Sequence, residues 1–176
     1  AFVTVDGGRR WRRFGRNLPP VPVERFAMSY AQRDLVLGTH GRGIWVTNVA
    51  ALEDAGDSLY NETAHLFPVP PALQYRYSDT YPSFGSQPFM AANPPRGAVI
   101  RYFLKEAQPR NVEMLITTAD GDTVRKITGP GYAGMQSVTW DLNRDKPRPR
   151  ELGGPVTPAE LRRVAPGQYF VTLTVG

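Results

Sequence analysis

Apolar and polar residues alternate in short runs along this chain, and glycine, proline, asparagine and aspartate interrupt them every few residues. Alternation with a period of two puts successive side chains on opposite faces of an extended backbone, so each run predicts a strand. Runs at 2–5, 9–14, 23–30, 35–39 and 44–49 open the chain. A second set follows at 99–104, 112–117, 123–128, 136–142 and 168–175. Phe26 and Met28 fall on one face of their run, and Tyr169, Val171, Leu173 and Val175 on one face of theirs. No stretch carries the 3.6-residue period of a long amphipathic helix. Residues 50–61 and 158–163 carry at most a helical turn or two. The expected class is all-β.

The interruptions are specific turns. Asp6-Gly7-Gly8 supplies positive φ through glycine and a side-chain acceptor through aspartate. His40-Gly41-Arg42-Gly43 is a tight turn, and Asp120-Gly121 predicts a type I′ hairpin. Between the two strand sets, residues 53–96 are rich in proline and tyrosine. The division expected is 1–52, a linker over 53–96, and 97–176. Within the linker, Tyr75, Tyr77, Tyr81 and Phe84 form a candidate aromatic strap, packing along the surface or meeting a partner.

Composition narrows the function classes. There is no cysteine, which removes disulfides, thiolate metal sites and cysteine nucleophiles. No apolar run approaches the roughly 18 residues that a membrane-spanning helix needs. The net charge is +5, mostly from arginine. Arg9, Arg10, Arg12 and Arg13 alternate with aromatic residues on an expected strand, and no recognition helix or RNA-binding signature accompanies them. Nucleic acid is therefore not an expected partner.

Thr4-Val5-Asp6-Gly7-Gly8-Arg9-Arg10-Trp11 matches the spacing of an Asp-box, with Thr4, Asp6, Gly8 and Trp11 at its defining positions. Together with Asp34-Leu35-Val36-Leu37-Gly38-Thr39-His40-Gly41-Arg42-Gly43-Ile44-Trp45-Val46, it makes residues 1–52 resemble the end of a sortilin-like, bacterial-neuraminidase-repeat β-propeller. Residues 94–176 resemble the immunoglobulin-like domain named after flagellar hook-capping proteins. Pro94-Pro95-Arg96-Gly97-Ala98, Asp120-Gly121, Val138-Thr139-Trp140-Asp141 and Ala165-Pro166-Gly167-Gln168-Tyr169 carry that likeness. The resemblances imply partial propeller blades joined to an incomplete sandwich, in an exported, periplasmic or secreted protein whose signal peptide is not in this chain.

Candidate chemistry is sparse. Glycoside hydrolysis needs two carboxylates set across a sugar. Glu24, Glu53, Asp54, Asp57, Glu62, Asp79 and Asp141 are available, but none sits in a recognisable catalytic context. Asp141 reads as a turn cap. His40 and His65 are far apart and lack cysteine partners, so no metal set is expected. His40, Arg42 and Trp45 form a candidate contact loop, where an arginine fork could meet a carboxylate or phosphate. The sequence thus predicts a non-catalytic interaction or scaffolding module without cofactor, binding other protein subunits through open strand edges and the strap. Membrane contact would come only through those partners. The alternative is the accessory part of a glycoside hydrolase or carbohydrate-binding propeller whose active residues lie upstream.

Overall fold

The structure, a computed structural model, describes residues 1–15, 18–56, 58–74, 96–145 and 162–176. Its strands are β1 (Phe2–Val3), β2 (Arg12–Arg13), β3 (Val23–Ser29), β4 (Asp34–Thr39), β5 (Ile44–Asn48), β6 (Ala64–Leu66), β7 (Ala98–Leu104), β8 (Val112–Thr118), β9 (Thr123–Gly129), β10 (Gly134–Trp140) and β11 (Tyr169–Thr174). One helical turn, α1 (Ala50–Glu53), and one 3₁₀ turn (Leu59–Asn61) complete it. The protein is all-β, as its alternation predicts. Among the described residues there is no closed barrel or propeller.

The chain divides into two compact units, Ala1–Phe67 and Pro68–Gly176. Residues 53–67, which the composition assigns to a linker, belong to the first unit. Within that stretch Leu59 is buried to 3% exposure, so the segment is packed rather than extended in solvent. The aromatic strap (Tyr75, Tyr77, Tyr81 and Phe84) and most of the 158–163 turn lie outside the described residues.

In the first unit, β3, β4 and β5 form an antiparallel meander. The register sets Phe26, Leu37 and Trp45 side by side on one face. Ala27, Val36 and Val46 share the other. Both faces are therefore apolar at the sheet's centre, as in a sheet built to be covered on both sides. Leu37 is buried, whereas Phe26, Ile44 and Val46 are exposed. The β1–β2 hairpin is shorter than its alternation predicts, because residues 4–11 are taken up by the turn.

The second unit is a β-sandwich. β7 and β10 pair antiparallel from Ala98–Trp140 to Leu104–Gly134. The facing sheet has the order β11-β8-β9. Ile100, Tyr102 and Leu104 point inward from β7; Met114, Ile116 and Val124 point inward from the other sheet, and all six are fully buried. Burying a large apolar side chain contributes roughly 1.5–3 kcal/mol, so this layer dominates the unit's stability. Gly129 leaves the space that the Tyr102 ring and the Met114 methyl fill. Tyr102 donates its hydroxyl proton to the carbonyl of Pro130 at 2.7 Å. Trp140 meets Tyr169 edge to face at 5.3 Å between ring centres and donates its indole N–H to Asn143 O at 2.8 Å.

Two expectations are corrected here. The hairpin at Asp120-Gly121 is not type I′, which needs positive φ at both central residues. Gly121 has φ 87°, but Asp120 does not have positive φ. Gly121 N–H donates to Thr118 O, making a turn over Ala119 and Asp120 that the left-handed glycine then closes. The strand edges are also not uniformly open. Asp145 N–H donates to Val124 O at 2.9 Å, and its carboxylate accepts from Lys126 N–H at 3.0 Å. Asp145 thereby occupies the outer border of β9 as a further strand would.

Candidate functional site

The Asp6 turn is organised by its own side chains. The Thr4 hydroxyl donates to Asp6 Oδ1 at 2.8 Å and accepts the Gly8 N–H at 3.0 Å. Asp6 Oδ1 also accepts the Arg10 N–H at 2.9 Å. Trp11 closes the turn by donating its indole N–H to Gly8 O at 3.1 Å. Gly7 and Gly8 hold φ of 67° and 90°, which a side chain would resist. The Arg10 N–H, with the Thr4 hydroxyl assisting, holds the Asp6 carboxyl below its ordinary pKa. Thr4, Asp6, Gly8 and Trp11 thus form one cluster in which the carboxylate is committed to the turn.

The second turn repeats part of this logic. Trp45 donates its indole N–H to Arg42 O at 3.1 Å, the same three-residue reach as Trp11 to Gly8. Thr39 Oγ1 donates to Gly43 O at 2.6 Å, and Gly41 and Gly43 supply positive φ. His40 Nδ1 lies 2.7 Å from Glu24 Oε1, both exposed. Trp45 therefore serves the turn through Arg42's backbone, while the Arg42 side chain stays exposed.

Each described carboxylate among the glycosidase candidates already has a partner. Glu24 meets His40, and Glu62 meets His65 at 2.7 Å. Glu53 and Asp54 both bind Arg33. Asp141 caps its own turn, accepting from the Asn143 N–H at 3.1 Å and side-chain amide at 2.9 Å, as its position before a loop predicts. Asp57 and Asp79 lie outside the described residues. Among the described residues, no three His, Asp or Glu side chains are grouped to hold a metal ion, and no helix is long and apolar enough to cross a membrane.

No family model, curated protein or solved structure matches this chain. The site must therefore be read from its own chemistry.

Arg33 is the residue that the sequence reading missed. It sits at φ 56° in the β3–β4 turn and reaches Glu53 at 2.5 Å, Asp54 at 2.6 Å and Ala50 O at 2.9 Å. Donating hydrogen bonds to Asp54 first, then to Glu53, pushes its pKa further above the ordinary arginine value. Its own carbonyl accepts the Val49 N–H. The signal available in sequence was an acidic pair about twenty residues downstream, and only folding makes that separation a contact.

Apolar exposure is concentrated in the first unit. Among the described residues, six of the nine exposed large hydrophobic side chains lie there: Phe2, Trp11, Phe26, Tyr30, Ile44 and Val46. The Arg9 and Arg10 side chains of the same unit are also exposed, whereas Arg12 stacks over Tyr60 at 4.3 Å.

Proposed function

We propose that this chain is a non-catalytic interaction and scaffolding module of an exported bacterial protein, stabilising a larger extracytoplasmic assembly. In this reading residues 1–67 are part of a propeller-type stack of blades, and the sandwich of the second unit is immunoglobulin-like. The observation that carries it is the two-faced apolar sheet β3–β5, whose Phe26, Ile44 and Val46 stand 77%, 74% and 61% exposed. Solvated apolar side chains in such number within one small unit mark a surface made to be covered. The turn clusters support the reading, because their carboxylates and indoles are spent on holding hairpins in shape.

Purification from the native source under mild conditions, followed by native and intact mass measurement, tests the proposal. The expected result is a stoichiometric complex that retains the chain with other protein subunits. A lone monomer that binds no hydrophobic dye overturns it. Selective binding to a glycan array by that monomer would favour the carbohydrate-binding alternative.

A further inference from the structure

We infer that the β1–β2 hairpin binds the surface of an anionic phospholipid bilayer, with its arginines on the headgroup phosphates and the Phe2 and Trp11 rings in the interfacial layer. This goes beyond the scaffolding reading, which involves no lipid contact by this chain.

Positive charge is concentrated in this hairpin. Residues 1–15 hold Arg9, Arg10, Arg12 and Arg13 against a single acid, Asp6. Residues 18–67 reverse the balance, with Arg25, Arg33 and Arg42 against Glu24, Asp34, Glu53, Asp54, Asp57 and Glu62. All four hairpin arginines are exposed, and among the described residues none of them forms an ion pair. Asp6, tied to the Thr4 hydroxyl and the Arg10 N–H, offsets one of the four charges at most. The stretches outside the described residues bring no acidic complement. Residues 75–95 hold one base (Arg76) and one acid (Asp79). Residues 146–161 hold Lys146, Arg148 and Arg150 against Glu151 and Glu160. An excess of negative charge is therefore something that another molecule has to bring.

The hairpin also exposes two aromatic rings. Its register sets Phe2 opposite Arg13 and Val3 opposite Arg12. Opposed residues share a face. Arg12 stacks over Tyr60 at 4.3 Å, so its face turns toward the unit, and Phe2 and Arg13 take the other. Phe2 is 68% exposed and Trp11 61%. The Trp11 indole N–H already donates to Gly8 O at 3.1 Å. The ring can thus leave water without an unpaired donor, the usual cost of moving a polar group into an apolar layer.

This combination favours lipid over other anions. At a bilayer interface aromatic rings sit at headgroup depth, and each basic residue near the surface adds to the attraction. Such binding builds up from a few side chains. A hairpin of this length offers far less than the roughly 800 Å² per partner of a stable protein interface. A single-stranded nucleic acid needs a basic groove that follows several nucleotides. Here the basic surplus ends with the hairpin, and the acids of residues 18–67 follow.

The probes are vesicles of phosphatidylcholine alone and of phosphatidylcholine mixed equally with phosphatidylglycerol, sedimented with the full chain in low-salt buffer. The expected result is at least about tenfold stronger partitioning onto the mixed vesicles, reversed by added salt. Arg9→Gln combined with Arg10→Gln should weaken it about twentyfold, near fivefold for each arginine. Lysine at both positions should retain most of it, and Arg25→Gln, at an exposed arginine outside the hairpin, should leave it unchanged. Tryptophan emission should shift to the blue on binding in the parent chain but not in Trp11→Phe at saturating lipid. Phe2→Ser, which leaves the Trp11–Gly8 bond in place, should weaken binding in the same direction. Equal partitioning onto both vesicle types, an unchanged affinity in the double glutamine variant, or a blue shift that persists in Trp11→Phe overturns the inference. Tighter binding to a single-stranded oligonucleotide or to polyglutamate reassigns the arginines to a soluble polyanion and overturns it too. A concentration-dependent dimer that forms in place of vesicle binding, and that the double variant abolishes, has the same consequence. A stoichiometric native complex whose subunits shield Arg9 and Arg10, with no vesicle binding by the free chain, would sink this inference and leave the scaffolding reading standing. Vesicle binding by a chain that purifies alone would do the reverse.

Discussion

The carbonyl oxygen of Trp140 occupies the space that a Cβ on Gly97 would need. Gly97 also holds φ 123°, where side chains are strained. Trp140 pairs with Ala98, the residue after Gly97, at the start of the β7–β10 ladder, so this close approach sits where that pairing begins. Gly97→Ala should lower the stability of the second unit by on the order of 3 kcal/mol, combining backbone strain with a steric clash. Chemical denaturation followed through Trp140 fluorescence measures it, and a variant within experimental error of the parent would contradict the geometry.

Tyr102 links the sheets by burying its ring and donating to Pro130 O. Tyr102→Phe should cost about 1 kcal/mol, the usual net value of such a bond. Burial raises the Tyr102 pKa above 10.0. The folded state thus favours the neutral phenol. That contribution is complete below pH 10 and is lost as pH rises through the folded value. Alkaline unfolding should therefore begin later in Tyr102→Phe than its neutral-pH stability alone predicts. Denaturation curves at several pH values above 9 would show it.

Asp6 behaves in the opposite sense. Its carboxyl is held below the ordinary 3.8, chiefly by the Arg10 N–H. Its contribution to the hairpin is present above pH 3.8 and fades as pH falls through the lower folded value. Trp11 reports this locally, since its indole closes the same turn. An acid-induced change in indole exchange at Trp11 is expected in the parent chain and should already be present at neutral pH in Asp6→Ala.

Arg33 pins the β3–β4 turn to α1 through Glu53, Asp54 and Ala50 O. Removing the guanidinium should destabilise the first unit. Arg33→Gly should lose less than Arg33→Ala, because glycine accepts φ 56° without strain. A melting-temperature order of parent, then glycine, then alanine is expected. Alanine equal to or above glycine would mean that the left-handed conformation carries no cost here.

The strands were legible because alternation is local. Val23–Ser29, Val112–Thr118 and Tyr169–Thr174 announce themselves by side chains two apart, and each forms within a residue or two of its expected bounds. The turn at Asp6 was legible for the same reason, since its donors and acceptors lie within seven residues of one another. The Asp120-Gly121 turn was misread: the dipeptide fits two hairpin geometries, and the register shift between Ile116 and Thr117 belongs to the strands around it.

The sequence by itself determined where most of the strands lie, which glycines must turn, and that the protein is all-β, because these follow from backbone sterics and side-chain period within a few residues; β6, at Ala64–Leu66, falls in the expected linker and was not among the expected strands. Tertiary structure alone decided that Arg33 joins Glu53 and Asp54, that Asp145 lies along the border of β9, and that residues 53–67 fall within the first compact unit. Those outcomes depend on contacts between residues far apart in the chain, where many pairings satisfy the same local preferences and packing selects one.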